Sequence, residues 1–574
     1  MDKQQISKIL AETATLLELK DENPFKIRAY QNAARALESS TLNLSDNPGI
    51  EKLVQIKGIG KKIAEQILQM IQGNQFELYQ QLKQDIPPGL VEMLKIPTLG
   101  PRKIKYLYHS LGIESISELE LACNNNTIAA LPNFGSKTQQ NILKGIETVK
   151  KFRGNFLYAE VIDEAAKLLD ELNRHPQVIR ASMAGSLRRK KEVVKDIDLV
   201  ASSTSPAEVM DFFISFAAQK DIIARGETKS SITLKSGINA DLRIVEDYQY
   251  PYALHHFTGS REHNTAMRSR SKKLGIKMNE YGLFEQDKLI ECSSEEDLFK
   301  VFSMSYIPPE LRENLGEIEA AKNGILPRLI QESDIRGLFH IHTSFSDGNI
   351  GIDQVCKFLK DRGMQYAGIS DHSQTAAYAH GVKEKDVEKY LSHLQQIEKE
   401  FEDFSIFKGI ESDILPDGNL DYSSHILAGF DFVIAAIHSS FNMDEQAMTN
   451  RVIKAIENPH TTILAHPTGR ILLAREPYKL DIIRVINAAA AHGVAIEINA
   501  NPHRLDLDWR LVKYARDKKV KIFISPDAHH LAGLEDYKYG INTARKGWLT
   551  SSDVANTMNR KEMKKYLKSM KGRK

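Results

Sequence analysis

The sequence predicts a multidomain protein with an α-helical N-terminal region, an α+β region in the middle and a C-terminal (β/α)7 barrel. Apolar residues recur at helical spacing through the first 150 residues, with glycine and proline breaks between the helices. Short apolar strands that carry aspartates follow in residues 183–245, and from residue 336 seven short apolar strands alternate with helical stretches. A chain of 574 residues is long enough for several such domains.

The composition is that of an ordinary globular protein, with 42% hydrophobic and 26% charged residues. Three widely separated cysteines predict no disulfide framework. No apolar run suggests a signal peptide or a membrane span, so we expect a cytoplasmic protein without a membrane partner. Residues 1–335 carry 44 Lys and Arg against 45 Asp and Glu, and the remainder carries 33 against 30. Nucleic-acid binding would therefore require local patches and backbone donors.

The segment VQIKGIGKKIAEQILQMI, residues 54–71, places Gly58 and Gly60 in a turn before a helical pattern. Unpaired backbone N–H groups at a helix start suit a phosphate oxygen, and Lys61 and Lys62 add positive charge. The segment resembles the helix-hairpin-helix motif, which binds the DNA backbone without reading bases.

Two weaker copies of this motif follow, KIPTLGPRKIKYL at 95–107 and ALPNFGSKTQQNIL at 130–143. Thr98 and Asn133 replace the first glycine in these copies. A tight turn between packed helices is a reasonable alternative for one copy, but three copies favour a protein that binds the DNA backbone.

The segment MAGSLRRKKEVVKDIDLV, residues 183–200, places Asp196 and Asp198 on one face of a strand. Asp241 lies in a later strand, NADLRIV. Three clustered carboxylates repel one another unless cations lie between them, and Mg²⁺ prefers oxygen ligands shared with substrate phosphates. An exposed strand edge would be the simpler explanation for two aspartates alone. With Gly185-Ser186 before them and a third aspartate after, the pattern is typical of nucleotidyltransferases.

This order and spacing, which includes Arg189, resembles the family X DNA polymerases, and HHFTGSREHNTAMRSRSKKLGIKMNEYGLF at 255–284 continues the resemblance through a thumb domain. The resemblance implies that the three aspartates bind Mg²⁺ and catalyse nucleotidyl transfer. It also implies that Gly185, Ser186 and Arg189 contact the triphosphate of an incoming dNTP. In the thumb, the implied contacts with the sugar, base or template strand are Phe257, Gly259, Asn264 and Arg268.

Two residues depart from the family pattern. His256 stands where animal relatives carry a tyrosine before Phe-Thr-Gly, which bears on discrimination against ribonucleotides. Gln66 stands where the lyase members carry their Schiff-base lysine. We therefore predict weak or no 5′-deoxyribose-phosphate lyase activity, unless Lys61 or Lys62 supplies the amine.

Histidine is concentrated in the C-terminal region, where 13 of the 18 lie in the last 239 residues. The stretch FHIHTSFSDGN, residues 339–349, places two histidines on one strand face and an aspartate in the following loop. The active site of a parallel barrel lies at the C-terminal ends of its strands, and six of the seven predicted strands end in a ligand-type residue. The candidate metal ligands are His340, His342, Asp347, His372, Glu411, His438, His466, Asp527 and His529.

These ligands are too many for one ion, so about three ions with a bridging carboxylate are expected, and imidazole favours Zn²⁺, Mn²⁺ or Fe²⁺ over Mg²⁺. The set resembles the polymerase-and-histidinol-phosphatase (PHP) domain. The resemblance implies phosphoester hydrolysis by metal-activated water, with Arg470 as a further phosphate contact. The histidines predicted to lie outside the ligand set are His380, His393, His425, His460, His492 and His530.

The resemblance predicts a family X polymerase that fills short gaps during base excision repair and whose PHP domain removes nucleotides from 3′ ends. An AP endonuclease activity would fit the same domain. Gapped or nicked DNA and dNTPs are the expected partners of a monomer. The expected regions are a DNA-end-binding domain (1–88), a fingers-like domain (89–150), a palm (151–249), a thumb (250–316), a linker (317–335) and the PHP barrel (336–574).

Two alternatives stay open. The polymerase half could transfer nucleotides to a substrate other than DNA, against which the hairpins and the thumb pattern argue. The barrel could be a metal-bound scaffold without activity, which the full set of ligand types disfavours. The basic segment at 560–574 is predicted to be a solvated helix end.

Overall fold

The computed structural model describes residues 1–571 except residues 2, 41, 43, 47 and 75. Within these residues the first strand begins at Phe156, so the N-terminal region is helical, as predicted. None of the helices in this described part of the chain has the length and apolar character needed to cross a membrane.

The N-terminal region is built from helices joined by short turns. Its described helices are Lys3–Leu19, Pro24–Ser39, Ile50–Val54, Lys61–Ile71, Glu77–Asp85, Pro88–Met93, Pro101–Leu111, Ile116–Asn124 and Gly135–Phe152. Their apolar faces form one buried cluster that extends from Ile6 to Ile146. This cluster continues across residue 88, where a domain boundary is expected, so the two helical parts share one core.

The middle region surrounds a five-stranded sheet. In spatial order its strands are Val178–Met183, Asp196–Ser203, Asn239–Val245, Lys229–Leu234 and Gln219–Arg225. The second and third of these run parallel, and the other neighbours are antiparallel. The sheet packs on two helices, Tyr158–Arg174 and Pro206–Ile214. The region also contains a short helix, Gly185–Arg188, and a two-stranded antiparallel pair, Phe156–Leu157 with Val193–Val194.

The next region combines helices with a small antiparallel sheet. Its elements are helices Tyr250–Thr258, Arg261–Lys273 and Glu295–Val301 and strands Ile276–Asn279, Gly282–Glu285 and Lys288–Leu289. The expected linker at 317–335 contains a further helix, Glu317–Lys322. Ile318 and Ala321 of this helix are buried in the same apolar cluster as the thumb residues, so this part of the segment is packed.

The C-terminal region is the predicted barrel of seven parallel strands, hydrogen-bonded in chain order. The strands are Gly337–Ile341, Tyr366–Ile369, Ser405–Asp413, Phe432–Ala436, Ile463–Leu464, Ala495–Asn499 and Ile522–Ser525. A bridge between Ile341 and Ala528, just beyond the last strand, brings the first and last strands together. The described α-helices around and after the strands are Ile352–Asp361, Val387–Glu398, Ser424–Leu427, Glu445–Glu457, Ile482–His492, Trp509–Asp517, Tyr537–Lys546 and Arg560–Lys571.

Aromatic rings fill one end of the barrel and leave the other end to polar side chains. The rings of Phe339 and Phe432 pack at 4.8 Å, and glycine makes room for such rings, because a Cβ at Gly368 would lie 2.2 Å from Phe339. Met563 and Leu567 of the last helix are buried in this cluster. The basic C-terminal segment is therefore a packed helix as far as residue 571, and its last three residues lie outside the described residues.

The barrel contacts the rest of the chain through buried polar side chains. Lys546 is buried, and its ammonium donates to the backbone carbonyl of Arg189 at 3.0 Å and to Glu313 at 2.9 Å. The Trp509 indole N–H donates to Glu192 at 2.9 Å. The exposed pair Lys151–Glu476, at 2.5 Å, links the N-terminal helices to the barrel.

Candidate active sites

The three predicted hairpins share one backbone feature. The first residue of each turn has a positive φ, at Gly58 (107°), Thr98 (73°) and Asn133 (67°). Gly60 and Gly100 then begin helices with no side-chain cap, which leaves backbone N–H groups available to a phosphate. The weaker copies thus keep the turn conformation although they lack the first glycine.

Gln66 lies in a cleft beside the first hairpin. The cleft is lined by Gly58, Gly60, Lys61 and Lys62 among others. The hydroxyl of Tyr30 donates to the Gln66 amide oxygen at 2.9 Å. The Gln66 side chain is therefore held by a hydrogen bond beside this cleft, but its amide cannot form a Schiff base.

The palm aspartates lie on neighbouring parallel strands. Asp198 is directly opposite Asp241 in the strand register, and Asp196 begins the same strand as Asp198. Burial and the charges of Asp196 and Asp241 raise the pKa of Asp198 to about 6. Lys229 forms an ion pair with Asp241 at 2.6 Å. The carboxylates therefore repel one another when ionised, which is the condition that a bound cation relieves.

Gly185 lets the chain pass next to this carboxylate cluster. Its φ is 57°, and a Cβ at this position would lie 1.9 Å from the Asp198 carboxylate. Any other residue would therefore clash with Asp198. Ser186 follows in the same short helix, Gly185–Arg188.

Arg189 does not present its guanidinium to a substrate in this structure. It is buried, and it donates to Glu313 at 3.0 Å and to the Thr258 carbonyl at 2.7 Å. Arg188 is likewise paired with Glu295. In this arrangement the Nε and Nη1 atoms of Arg189 have protein acceptors, so a contact with a triphosphate through them would require these bonds to break.

The thumb residues surround the turn that ends helix Tyr250–Thr258. The Asn264 amide donates to the carbonyls of His256 at 2.6 Å and Gly259 at 3.2 Å, so it holds this turn closed. Phe257 stacks against a guanidinium from the palm, that of Arg243, at 4.3 Å. Arg268 is exposed, and its charge lowers the pKa of His256, although burial is the larger cause.

All nine predicted ligands in the barrel come together. Among the described residues, ligand atoms lie in groups of three or more, within 4.8 Å of one another, in the barrel. Together these groups contain His340, His342, Asp347, His372, Glu411, His438, His466, Asp527 and His529. Simple strand alternation does not bring the first two together, because the strand is irregular and His340 has a φ of 61°. Their rings nevertheless lie 5.2 Å apart.

Glu411 lies at the centre of this cluster. One carboxylate oxygen is 3.1 Å from His466 and 3.3 Å from His438, and the other is 2.9 Å from His372 and 3.5 Å from His342. A carboxylate with imidazoles on both oxygens is suited to bridge metal ions.

The polar side-chain atoms of this cluster are better placed to bind metal ions than to form hydrogen bonds within the protein. Six buried polar atoms of the cluster have no hydrogen-bond partner among the described residues: His340 Nε2, His342 Nδ1 and Nε2, Asp347 Oδ1, His372 Nδ1 and Glu411 Oε2. Burial and the nearby His529 lower the pKa of His342 to about 3, which keeps its imidazole in the neutral form that binds metals. Unpaired buried polar atoms are otherwise costly, so their concentration here indicates a site for ions.

Three buried carboxylates behind the ligands were not identified from the sequence. Glu497 is on the sixth strand, which supplies no ligand, and it accepts a hydrogen bond from His340 Nδ1 at 2.6 Å. Asp413 does the same for His438, and Asp371 holds the loop that leads to Asp347 by accepting from Thr343 at 2.8 Å. The sequence feature that could have identified Glu497 is its position as a single charged residue within the apolar run VAIEINAN.

The other predicted side chains lie elsewhere. Arg470 donates to the carbonyls of Arg504 and Leu505 and to Asp508, so the structure does not support the expected phosphate contact. All three of its nitrogens have protein acceptors. The histidines predicted to lie outside the ligand set are exposed or partly exposed: His380, His393, His425, His460, His492 and His530.

Comparison with protein families identifies four matching segments of the chain. Residues 1–76 match a helix-hairpin-helix domain, and residues 90–148 match a SAM-like helix-hairpin-helix tandem. Residues 253–313 match the DNA polymerase beta thumb, and residues 339–501 match the PHP domain.

The chain is 37% identical over 572 residues to a Bacillus subtilis protein named DNA polymerase/3′-5′ exonuclease PolX, an alignment that covers 99% of this chain and 100% of that relative. A protein from Thermoanaerobacter sp. named probable phosphatase is 31% identical over 244 residues, which cover 40% of this chain and 94% of that protein. The first alignment is full-length, and it includes the palm, thumb and barrel described above. The chain therefore belongs to the family X DNA polymerases that carry a C-terminal PHP domain.

Proposed function

We propose that this chain is a DNA polymerase that fills short gaps and that its PHP domain degrades DNA from the 3′ end. One observation carries the proposal: a single chain contains both a palm with three clustered aspartates and a barrel with nine clustered metal-ligand side chains. The full-length relative, whose name contains both activities, supports it. The repair of damaged bases by excision is the proposed setting.

We assign nucleotidyl transfer to the palm, residues 151–249, with Mg²⁺ held by Asp196, Asp198 and Asp241. Bound Mg²⁺ would neutralise the triphosphate and the leaving pyrophosphate and would activate the primer hydroxyl. The three carboxylates form a site in which bound ions would relieve the repulsion between them. Gly185 and Ser186 bring the backbone close to this site, where it can bind phosphate oxygens.

The thumb, residues 250–316, is proposed to orient the nucleotide and template. Phe257 and Gly259 would lie beside the sugar, Asn264 at the base and Arg268 near the template strand. Because Asn264 now bonds to the turn carbonyls, a base would compete for this amide. Arg189 is proposed to reach the triphosphate when nucleotide binding separates it from Glu313.

The N-terminal helices are proposed to bind DNA through the phosphate backbone, with residues 1–88 at the DNA end and 89–150 as the fingers. Gly58 and Gly60 would offer backbone N–H groups to a phosphate, and Lys61 and Lys62 would add charge. Gapped or nicked duplex is the proposed substrate, because this mode of contact reads no bases.

The barrel, residues 336–574, is proposed to hold Mn²⁺ or Zn²⁺. Ions bound there would activate water and polarise phosphoryl oxygens. Glu411 would be shared between ions, because imidazoles approach both of its oxygens. Glu497 and Asp413 would fix the orientation of His340 and His438, which determines which nitrogen faces the ions.

A barrel that holds metal only for stability is the competing possibility. A structural site usually has a closed ligand shell, whereas this one offers nine ligand side chains in overlapping groups. Asp347 and His529 at its edge are about one-third exposed, which leaves solvent access to the ions. This access favours a catalytic site.

Two single substitutions test the assignment. Asp198→Ala removes a carboxylate from the palm and should reduce gap filling by several orders of magnitude while 3′ degradation persists. His342→Ala removes an imidazole from the barrel and should abolish 3′ degradation and lower bound metal while gap filling persists. Both activities are measured on both variants with a gapped duplex and a 3′-overhang substrate, after thermal melting has shown that each variant is folded.

The pattern of the two losses decides between the assignments. If His342→Ala keeps the nuclease and Asp198→Ala loses it, degradation belongs to the palm, for example through pyrophosphorolysis. If neither variant affects gap filling, the palm assignment fails. Loss of bound metal in His342→Ala without any change in degradation would favour the structural role of the barrel.

A further inference from the structure

A cleft of about 830 Å³ separates the second hairpin from the barrel. One wall consists of Pro97, Thr98 and helix Gly135–Phe152, and the other consists of barrel residues 440–443 and 474–476. An adjoining cavity of about 490 Å³ shares part of this wall and extends to Gly469. The barrel segments in these walls follow the predicted ligands His438 and His466 in the sequence. The cleft is therefore bounded by a hairpin on one side and by segments that follow two predicted ligands on the other.

The hairpin side of the cleft is suited to phosphate. Thr98 has the positive φ of the hairpin turn, and helix Pro101–Leu111 begins after Gly100 without a side-chain cap. Lys144, on helix Gly135–Phe152 in the same wall, is exposed and forms no ion pair within the described residues. The one acidic residue of the lining, Glu476, is already paired with Lys151 at 2.5 Å. The hairpin side of the cleft therefore carries a lysine charge that is not paired with any described carboxylate.

The barrel side of the cleft is suited to a base. The rings of Phe441 and Tyr478 are stacked with centroids 6.1 Å apart, and the Arg475 guanidinium lies 4.8 Å from the Phe441 ring. The Tyr478 hydroxyl donates to the carbonyl of Pro467 at 2.8 Å, so this aromatic pair is anchored beside His466. Phe441 is only partly buried, which leaves ring surface accessible from the cleft.

We propose that this cleft binds the single-stranded 3′ segment of DNA and guides it toward the barrel. A phosphate would lie at the second hairpin and Lys144, and a base would stack on Phe441. A basic groove with aromatic platforms is the usual means of binding single strands without sequence preference. The cleft has the volume of a small-molecule site, about 300–1,000 Å³, which admits a nucleotide or two but no duplex.

This proposal rests on the nuclease function proposed above, so its test uses binding without hydrolysis. A single-stranded oligonucleotide with 5-iododeoxyuridine near its 3′ end is irradiated with the full-length protein in EDTA, and the cross-linked peptide is identified by mass spectrometry. We expect a cross-link within residues 439–443. Lys144→Glu should reduce its yield about tenfold, in the range that one lost stacking or phosphate contact gives.

Lys389→Glu is the matched control, because Lys389 is an exposed helical lysine on the outside of the barrel. It should leave the cross-link within twofold of the wild-type yield, and a blunt duplex should give no cross-link in this segment. The proposal is overturned if wild-type protein cross-links elsewhere only, or if Lys144→Glu and Lys389→Glu give the same yield. If the cross-link behaves as expected but the protein degrades no 3′ ends with any metal, the cleft stands and the nuclease assignment fails.

Discussion

In metal-free protein, Asp198→Asn is expected to stabilise the palm. The pKa of Asp198 is raised from its ordinary value of 3.8 to about 6 by burial and by the charges of Asp196 and Asp241. Because the folded state binds this proton more tightly than the unfolded state, stability falls as the pH rises through this range and then stays constant. An asparagine amide carries no charge and can donate to the two remaining carboxylates, so the variant avoids this loss.

The size of the effect follows from the shift. About two pKa units correspond to about 3 kcal/mol, and partial solvent access at the site reduces the expected gain to about 2 kcal/mol above pH 7. For a unit of the size of palm and thumb together this raises the transition temperature by about 4–8 °C. At pH 4 the gain should be below about 1 kcal/mol, because wild-type Asp198 is then protonated in the folded protein.

Scanning calorimetry in EDTA at pH 8 and pH 4 measures both values on wild type and variant. Asp170→Asn is the control, because Asp170 is an exposed palm aspartate and its substitution should leave the transition unchanged at both pH values. Saturating Mg²⁺ and dNTP should stabilise the wild type more than the variant. A lower transition temperature for Asp198→Asn at pH 8, or an equal gain at pH 4 and pH 8, would refute the reasoning.

Three further predictions address other parts of the molecule. Glu497→Gln should weaken Mn²⁺ binding by about 10–100-fold in calorimetric titration, because His340 loses its charged partner, and an unchanged affinity would contradict the orienting role. Borohydride should trap little or no wild-type protein on 5′-deoxyribose-phosphate DNA, whereas Gln66→Lys should supply the missing amine; efficient wild-type trapping would show that another lysine acts. His256→Tyr should reduce ribonucleotide incorporation relative to dNTP incorporation in single-nucleotide gap filling, and an unchanged ratio would separate this position from sugar selection.

Sequence reasoning agrees with the structure where a local pattern sets a turn conformation or places a side chain at a strand end. The turn at Gly58 was predictable because the chain must adopt a positive φ before the helix begins, and Thr98 and Asn133 keep that conformation. The barrel ligands were predictable because parallel strands bring their C-terminal ends to one rim, so that residues as distant as His340 and His529 meet.

Sequence reasoning does not find partners that are distant in the sequence. Arg189 is proposed to contact the triphosphate, but in this structure it pairs with Glu313, which lies 124 residues away, and no local spacing predicts such a pair. Arg470 is likewise held by the loop that leads to Asp508. Glu497 was missed because a residue that positions a ligand, unlike the ligand itself, follows no spacing that can be recognised in the sequence.

The buried Lys546 makes it difficult for the polymerase half of this chain to evolve without the barrel. A fragment that ends before the barrel would lose the ammonium that contacts both the Arg189 carbonyl and Glu313. The Arg189–Glu313 pair would then face water at a newly exposed surface, and the loop that begins at Gly185 would lose a support. Loss of the barrel during evolution would thus require compensating changes in the palm, and kinetic constants measured on an isolated polymerase half would describe a molecule with a different environment around Arg189 and Glu313.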